Sequence, residues 1–348
     1  MNKKILFVTR KYPPQIGGMQ QYSYDFYTTM CTKSEIKLLK GNTISIFPKF
    51  MFFFILNKNK YQYIHFADSS LALLTYFIKL FNPSVKTSVT AHGLDIVYKN
   101  KFYQKILKFS LKYTDKIICV SNYTFNECCK LQVSKEKCYI IHNGITNQQI
   151  QDLKELELSN KFKEPNEELI LISIGRQVER KGTRWFVDNV MPKLDKKIKY
   201  IIIGDGPEIS NIENSIKKNK LQQQIKLFKK VSNKQRDQLC KKADLFIMPN
   251  IKIPNNPEGF GLVILEANMK NLIPIGTSID GITDAIKENK NGHLCREKSI
   301  EDFKNHINFY NNNLKVLKTN QINFKKYAIE NYSWEDLANQ YIKKIFNK

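Results

Sequence analysis

Apolar and β-branched residues fall in short runs along the chain, each followed by a polar turn and then a longer stretch with helical spacing. In the first half the runs are Ile5–Val8, Tyr63–Phe66, Thr87–Thr90, Lys116–Val120 and Tyr139–His142. In the second half they are Leu169–Ile174, Tyr200–Ile203, Ile225–Phe228, Leu245–Met248 and Ile273–Gly276. Continuous apolar strands that alternate with helices are buried on both faces, so the pattern predicts parallel sheets in an α/β, doubly wound architecture. Two such series predict two sheets. The polar, charged stretch Gln148 to Glu168, with Pro165, reads as the linker between them. Near the other end, Ser333 before Trp334 predicts a serine-capped helix.

The length of 348 residues agrees with two domains, and 42% hydrophobic residues suffice for two packed cores. Charge adds a question about partners. Lys and Arg number 56 against 32 Asp and Glu, a net +24 that excludes an acidic solvating protein and fits nucleic acid or an anionic membrane. The excess is +13 over residues 1–165 and +11 over the rest, so it marks the whole composition and no basic tail. The seven cysteines (Cys31, Cys119, Cys128, Cys129, Cys138, Cys240 and Cys295) form no C-x-x-C pair and no zinc spacing, which predicts reduced thiols in the cytoplasm. The run Ile5–Val8 is too short for a signal sequence, and the longest apolar run, Phe50 to Leu56, falls far below the roughly 20 residues that span a bilayer. A soluble or peripheral protein is expected.

Ligands of open α/β sheets bind at the carboxyl ends of strands, and the unusual residues collect there. Gly17-Gly18 follows the first run and precedes a helical stretch, where glycine amides approach a diphosphate; an ordinary turn explains the pair equally well. In Gly175-Arg176-Gln177-Val178-Glu179-Arg180-Lys181-Gly182, Arg176 and Lys181 lie five apart on one loop and can converge on an anion. In so lysine-rich a chain a solvated basic loop is the plain alternative. Gly204-Asp205-Gly206-Pro207 lacks the third glycine of a dinucleotide fingerprint and reads as a tight turn. The most informative segment is Pro257-Glu258-Gly259-Phe260-Gly261-Leu262-Val263-Ile264-Leu265-Glu266-Ala267: two carboxylates eight apart, with glycines at a helix start that expose amides. A polyhydroxyl ligand is a natural partner for a carboxylate on an otherwise apolar helix.

Taken in order, these segments resemble the retaining, nucleotide-sugar glycosyltransferases of family 4. The resemblance continues through Ala91-His92-Gly93-Leu94-Asp95, Val120-Ser121, His142-Asn143-Gly144-Ile145 and Tyr332-Ser333-Trp334, nearly the whole chain. One departure is Asp280, where the family usually has the second glycine of a Gly-Gly turn. The resemblance implies a GT-B fold: two Rossmann-like domains facing across a cleft, with the C-terminal helix returning to the first. Residues 1–165 would bind acceptor, residues 166–330 the nucleotide-sugar, and residues 331–348 would form the returning helix.

It also implies roles. Arg176 and Lys181 would neutralise the diphosphate in place of a metal, so no cofactor is expected. Glu258 would bind the donor sugar hydroxyls, with the amides of Phe260, Gly261 and Leu262 beside it. Glu266 would hold the ribose and Val231 the base, while Gly17 and Gly18 close over the phosphates. His92 would face the sugar. Glu258, His92, Arg176 and Lys181 are thus the candidate catalytic residues, with no enzymic nucleophile assigned. Polysaccharide or lipopolysaccharide assembly is the family-level expectation.

Lys101, Lys105, Lys108, Lys112 and Lys116 fall within about 80° of one another on a helix, with aromatic and aliphatic residues on the remainder. Docking on the inner face of the cytoplasmic membrane, where lipid-linked acceptors reside, is one reading; a solvated helix face is the other. The aromatic run Phe50–Leu56 is a second candidate contact. Among rival functions, no nucleic-acid module is present, no complete dinucleotide fingerprint supports a dehydrogenase, and no Walker motif supports an NTPase. Sugar epimerases and phosphorylases of the same fold, and non-catalytic binding to nucleic acid or a membrane surface, remain as alternatives.

Overall fold

The computed structural model describes residues 4–15, 17–146 and 168–347. The chain divides into two units. The first runs to residue 147 and takes in Glu258–Phe260 and Tyr332–Lys348; the second comprises the residues up to Pro257 and Gly261–Asn331. The linker expected over 148–168 lies outside the described residues except for Glu168.

The first unit is built on a six-stranded sheet in the order β2-β1-β3-β4-β5-β6. Its strands are β1 (Lys4–Thr9), β2 (Glu35–Lys40), β3 (Tyr63–Phe66), β4 (Lys86–Ala91), β5 (Lys116–Cys119) and β6 (Cys138–Ile140). All pair in parallel. Side chains alternate across a strand, so β1 feeds two cores. Leu6 and Val8 pack with helices α2 (Ile46–Asn57), α3 (Leu73–Phe81) and α4 (Lys101–Tyr113). Ile5 and Phe7 pack with α1 (Gly18–Cys31) and the C-terminal segment. The residues of β1 from Ile5 to Thr9 are fully buried, as its apolar run demands.

The second unit repeats the design in the order β12-β11-β10-β7-β8-β9, again all parallel. Its strands are β7 (Ile170–Ile174), β8 (Lys199–Ile203), β9 (Ile225–Phe228), β10 (Leu245–Met248), β11 (Ile273–Thr277) and β12 (His293–Cys295). Helix α5 (Thr183–Asn189) follows β7, α6 (Asn233–Lys242) follows β9, α7 (Leu262–Met269) follows the glycine segment, and α8 (Ile300–Asn312) follows β12. Their ends obey local chemistry: the Ser232 hydroxyl and Gln235 amide close a capping box at the start of α6.

Strands β2 and β12 have no counterpart in the sequence reading. β2 is Glu-Ile-Lys-Leu-Leu-Lys at a sheet edge, where only Leu39 is fully buried, so charge interrupts the apolar run. β12 has three residues, too few for a pattern.

The terminal helix α9 (Trp334–Tyr341) starts at Ser333, whose hydroxyl accepts from the Glu335 amide at 3.1 Å. Its start is pinned by Ile145, which donates to the Tyr332 carbonyl and accepts from Trp334 N–H at 2.8 and 2.9 Å. A Cβ on Gly144 would lie 2.5 Å from Leu337, which is why His142-Asn143-Gly144-Ile145 carries glycine there. Tyr341 reaches the buried Tyr22 hydroxyl at 2.9 Å, and that hydroxyl also bonds Thr90 at 2.7 Å.

Candidate active site

In the second unit the strand order reverses between β10 and β7, because β8 and β9 extend to one side and β11 and β12 to the other. Such a switch point leaves a crevice at the carboxyl ends of the two strands. A small pocket lies there, lined by Ser173, Gly175, Gln177, Lys181, Thr183 and Asn250 among others.

The loop after β7 is held by backbone approaches that only glycine permits. Gly182 is left-handed at φ +65°, and a Cβ on it would meet the Pro249 carbonyl at 1.8 Å. Ile251 N–H donates to the Arg180 carbonyl at 2.8 Å, joining the same two loops. A Cβ on Gly204 would sit 1.9 Å from the Gly175 carbonyl. Gly204-Asp205-Gly206-Pro207 is therefore a packing turn, as its missing third glycine implied.

The Lys181 side chain runs alongside Gly175, its Cε 3.8 Å from where a Cβ would stand. Arg176 is exposed and makes no ion pair among the described residues, so its guanidinium is available to an anion. Gln177, which the sequence reading assigned no role, organises the loop. Its Nε2 donates to the carbonyls of Gly175 (2.9 Å) and Ile203 (3.4 Å). Its backbone N–H donates to Asp205, and its carbonyl accepts from Glu208. Its Oε1 is buried without a hydrogen bond. No motif signals this; only a polar residue inside a buried loop is visible in the sequence.

Glu266 lies on α7, eight residues long, which no side chain caps; the Gly261 carbonyl, at φ +87°, accepts from the Ile264 N–H at 2.9 Å. Burial pushes the Glu266 carboxyl above its ordinary range, and the charges of Arg236 and Lys270 partly offset this. Val231 sits in the loop between β9 and α6. The turn that carries Asp280 holds that residue at φ +48°, a left-handed position that explains the glycine usual in the family.

Glu258, Gly259 and Phe260 belong to the first unit, although second-unit residues flank them in sequence. A Cβ on Gly259 would lie 1.7 Å from the His92 carbonyl, so only glycine lets the segment after Glu258 pass against the backbone of His92. Phe260 is buried and stacks on His142 with ring centroids 5.4 Å apart. His92 is held on several sides. Its Nε2 donates to the Ala67 carbonyl at 2.8 Å, which leaves Nδ1 as the acceptor of the neutral ring. Its N–H donates to Asp95 Oδ1 at 2.9 Å, while Asp95 Oδ2 accepts from Ser69 N–H and hydroxyl at 3.0 and 2.6 Å. Asp95 thus positions His92. Gly17 precedes α1 and provides no side-chain cap, so the helix start is open; Ile16 lies outside the described residues.

The proposed lysine face loses one member. Lys116 lies on β5, and its Nζ donates to the Lys344 and Ile345 carbonyls at 2.7 and 3.2 Å. Lys101, Lys105, Lys108 and Lys112 do share α4, whose start is capped by Asn100. The apolar side of α4 is divided: Leu107 and Leu111 are buried, whereas Phe102 is 73% exposed and Phe109 and Tyr113 are also exposed. The run Phe50–Leu56 divides likewise, with Phe50 and Phe54 in the core and Phe52, Ile55 and Leu56 exposed. Among the described residues no helix is long and apolar enough to cross a membrane.

Comparison with known proteins agrees with the fold. Residues 154–330 match the family described as glycosyl transferases group 1, and residues 16–149 match Glycosyltransferase Family 4. A phosphatidylinositol N-acetylglucosaminyltransferase GPI3 subunit of Saccharomyces cerevisiae is 25% identical over 239 residues, 67% of this chain and 51% of that protein. The chain thus spans about half the length of that relative. An N-acetyl-alpha-D-glucosaminyl L-malate synthase of Bacillus anthracis is 26% identical over 67% of this chain and 60% of its own. HepE of Anabaena, crystallised with UDP, shares the fold with a TM-score of 0.76 at 15% identity, over 99% of this chain and 100% of that one.

Proposed function

The chain belongs to the glycosyl transferases group 1, and from that premise we propose that it moves a sugar from a nucleoside diphosphate donor to an acceptor, with retention of configuration. The observation that carries this is the switch-point pocket, where Lys181 lines the wall and Arg176, without an ion pair among the described residues, stands on the same loop. As the bond to the sugar breaks, negative charge grows on the departing diphosphate. Two fixed cations stabilise that charge more than they stabilise the intact donor, which is what lowers a barrier. In this reading they act without a metal. Glu258 accepts hydrogen bonds from sugar hydroxyls, Glu266 from the ribose, and His92 faces the sugar. The amides of Gly17, Gly18, Phe260, Gly261 and Leu262 serve the donor, and Val231 the base.

The names of the two relatives share an N-acetylglucosaminyl group, and HepE was crystallised with UDP, so UDP-N-acetylglucosamine is the first donor to try. A thermal-shift screen across UDP-, GDP- and ADP-sugars, followed by transfer assays in EDTA, tests the reading. Stabilisation by one donor and metal-independent transfer are expected; no response to any nucleotide-sugar overturns it. Lys181→Ala and Glu258→Ala are each expected to lower kcat by about 10²–10³-fold with the fold intact. Near-normal turnover in either variant removes that residue from the mechanism.

For the acceptor, the lysines of α4 beside exposed Phe102 and Phe109 favour a lipid-linked molecule at an anionic membrane on the cytoplasmic side, as in polysaccharide or lipopolysaccharide assembly. Transfer to a soluble acid instead would argue against that surface.

A further inference from the structure

The short β12 edge of the second unit carries a cluster that the transfer reaction does not use. Glu288, His293 and His306 place one donor atom each within 4.8 Å of one another. The loop from Glu288 folds back to pair with Gly292, which sets Glu288 Oε1 3.0 Å from His293 Nδ1. The rings of His293 and His306 stack at 4.5 Å between centroids, 18° from parallel.

We propose that Glu288, His293 and His306 form a binding site for a borderline divalent cation of the zinc type, structural in role and separate from the sugar-transfer residues. Two features argue for it. First, two of the three ligands are supported from behind as metal ligands are, and the third, His306, is held by stacking on His293. Glu288 Oε2 accepts from the Leu294 amide at 2.7 Å, which leaves Oε1 as the ligand. His293 Nε2 bonds the Tyr310 hydroxyl at 2.7 Å, and that hydroxyl accepts from Asn320 at 2.9 Å; coordination through Nδ1, which donates to Glu288 Oε1 without a metal, takes the tautomer whose proton sits on Nε2 and faces Tyr310. Second, the charge is uncompensated. In a chain with 56 lysines and arginines, Glu288 pairs with none of them among the described residues, and His306 makes no hydrogen bond there.

Two histidines and a carboxylate suit zinc, with water in the fourth position. Donor atoms around tetrahedral zinc stand about 3.3 Å apart, so the site must tighten. Glu288, 44% exposed, is free to supply that movement.

The test uses the full chain, stripped with EDTA. Zn²⁺ at a hundredfold excess over its Kd is expected to raise Tm by roughly 5 °C, whereas Mg²⁺ leaves it unchanged. Co²⁺ is expected to develop visible absorption that saturates at one equivalent. Glu288→Gln, which preserves shape, and His306→Phe, which preserves stacking, are expected to abolish both responses while leaving the metal-free Tm close to that of the parent. No Zn²⁺ response, or an equal response to Mg²⁺, overturns the proposal. A response retained in both variants also overturns it, because the thiols would then be the ligands. The readouts are stability and absorption, so failure here leaves the transferase assignment untouched.

Discussion

Gln177 carries no charge and belongs to no motif, yet it ties the loop bearing Arg176 and Lys181 to the turn after β8. Gln177→Leu keeps the volume and removes the side-chain donor, leaving the Gly175 and Ile203 carbonyls without it. Loss of about one hydrogen bond's worth of order, ~1 kcal/mol, should weaken donor binding several-fold, as isothermal titration would measure. Unchanged affinity would show that the backbone bonds alone hold the loop. His65 makes a different residue-scale prediction. Burial, reinforced by the charge of His92, lowers its pKa to about 3, whereas in the unfolded chain it titrates near 6.5. As pH falls below about 6.5 the unfolded chain takes up a proton that the folded one refuses. Stability contributed by the neutral ring is therefore complete above that pH and drains away towards pH 3, at up to about 1.4 kcal/mol per pH unit. Urea unfolding at pH 7 and pH 5 should show this loss, and His65→Gln should flatten it; an identical slope in the variant would refute the assignment. His293 and His306 shift in the same direction and steepen the parent slope.

Among the elements, α4 shows how far a periodic pattern reaches. Its spacing predicts a helix with a lysine face, and the helix is there, but the pattern runs past Tyr113 to include Lys116, which a strand claims instead. Spacing assigns angles only while the helix lasts. The pattern sets the aromatic and aliphatic residues off the lysine face without saying which of them are covered: Leu107 and Leu111 join the core, whereas Phe102 and Phe109 are exposed. If this face meets anionic lipid, replacing Lys101, Lys105, Lys108 and Lys112 by Glu should abolish co-sedimentation with vesicles containing phosphatidylglycerol at low salt. The parent protein should bind and then release as salt rises. A parent protein that stays in the supernatant at low salt would refute docking through α4.

At the scale of the whole molecule, each unit has its own hydrophobic clusters, and α9 belongs to those of the first. Trp334 is fully buried there with Tyr341, Ile345 and Phe346. Trp334→Ala should cost about 3–5 kcal/mol, read as a lower urea midpoint for the first unit while the second keeps its own. A loss shared equally by both units would show that they unfold together. The sequence by itself determined the class of fold, because a strand buried on both faces must be written in apolar residues whatever its neighbours are. It also singled out Gly17-Gly18, Arg176, Lys181 and Glu258 as candidates, because ligands of open α/β sheets bind at the carboxyl ends of strands. Tertiary structure alone decided the rest. It set the edge strands β2 and β12, whose half-exposed positions tolerate charge, and gave Gly259 its contact with His92. Gln177 became a staple, and Glu288, His293 and His306 came together across spacings that match no motif. Those are contacts between distant segments, and the local pattern of a chain records what each segment buries but not what it is buried against.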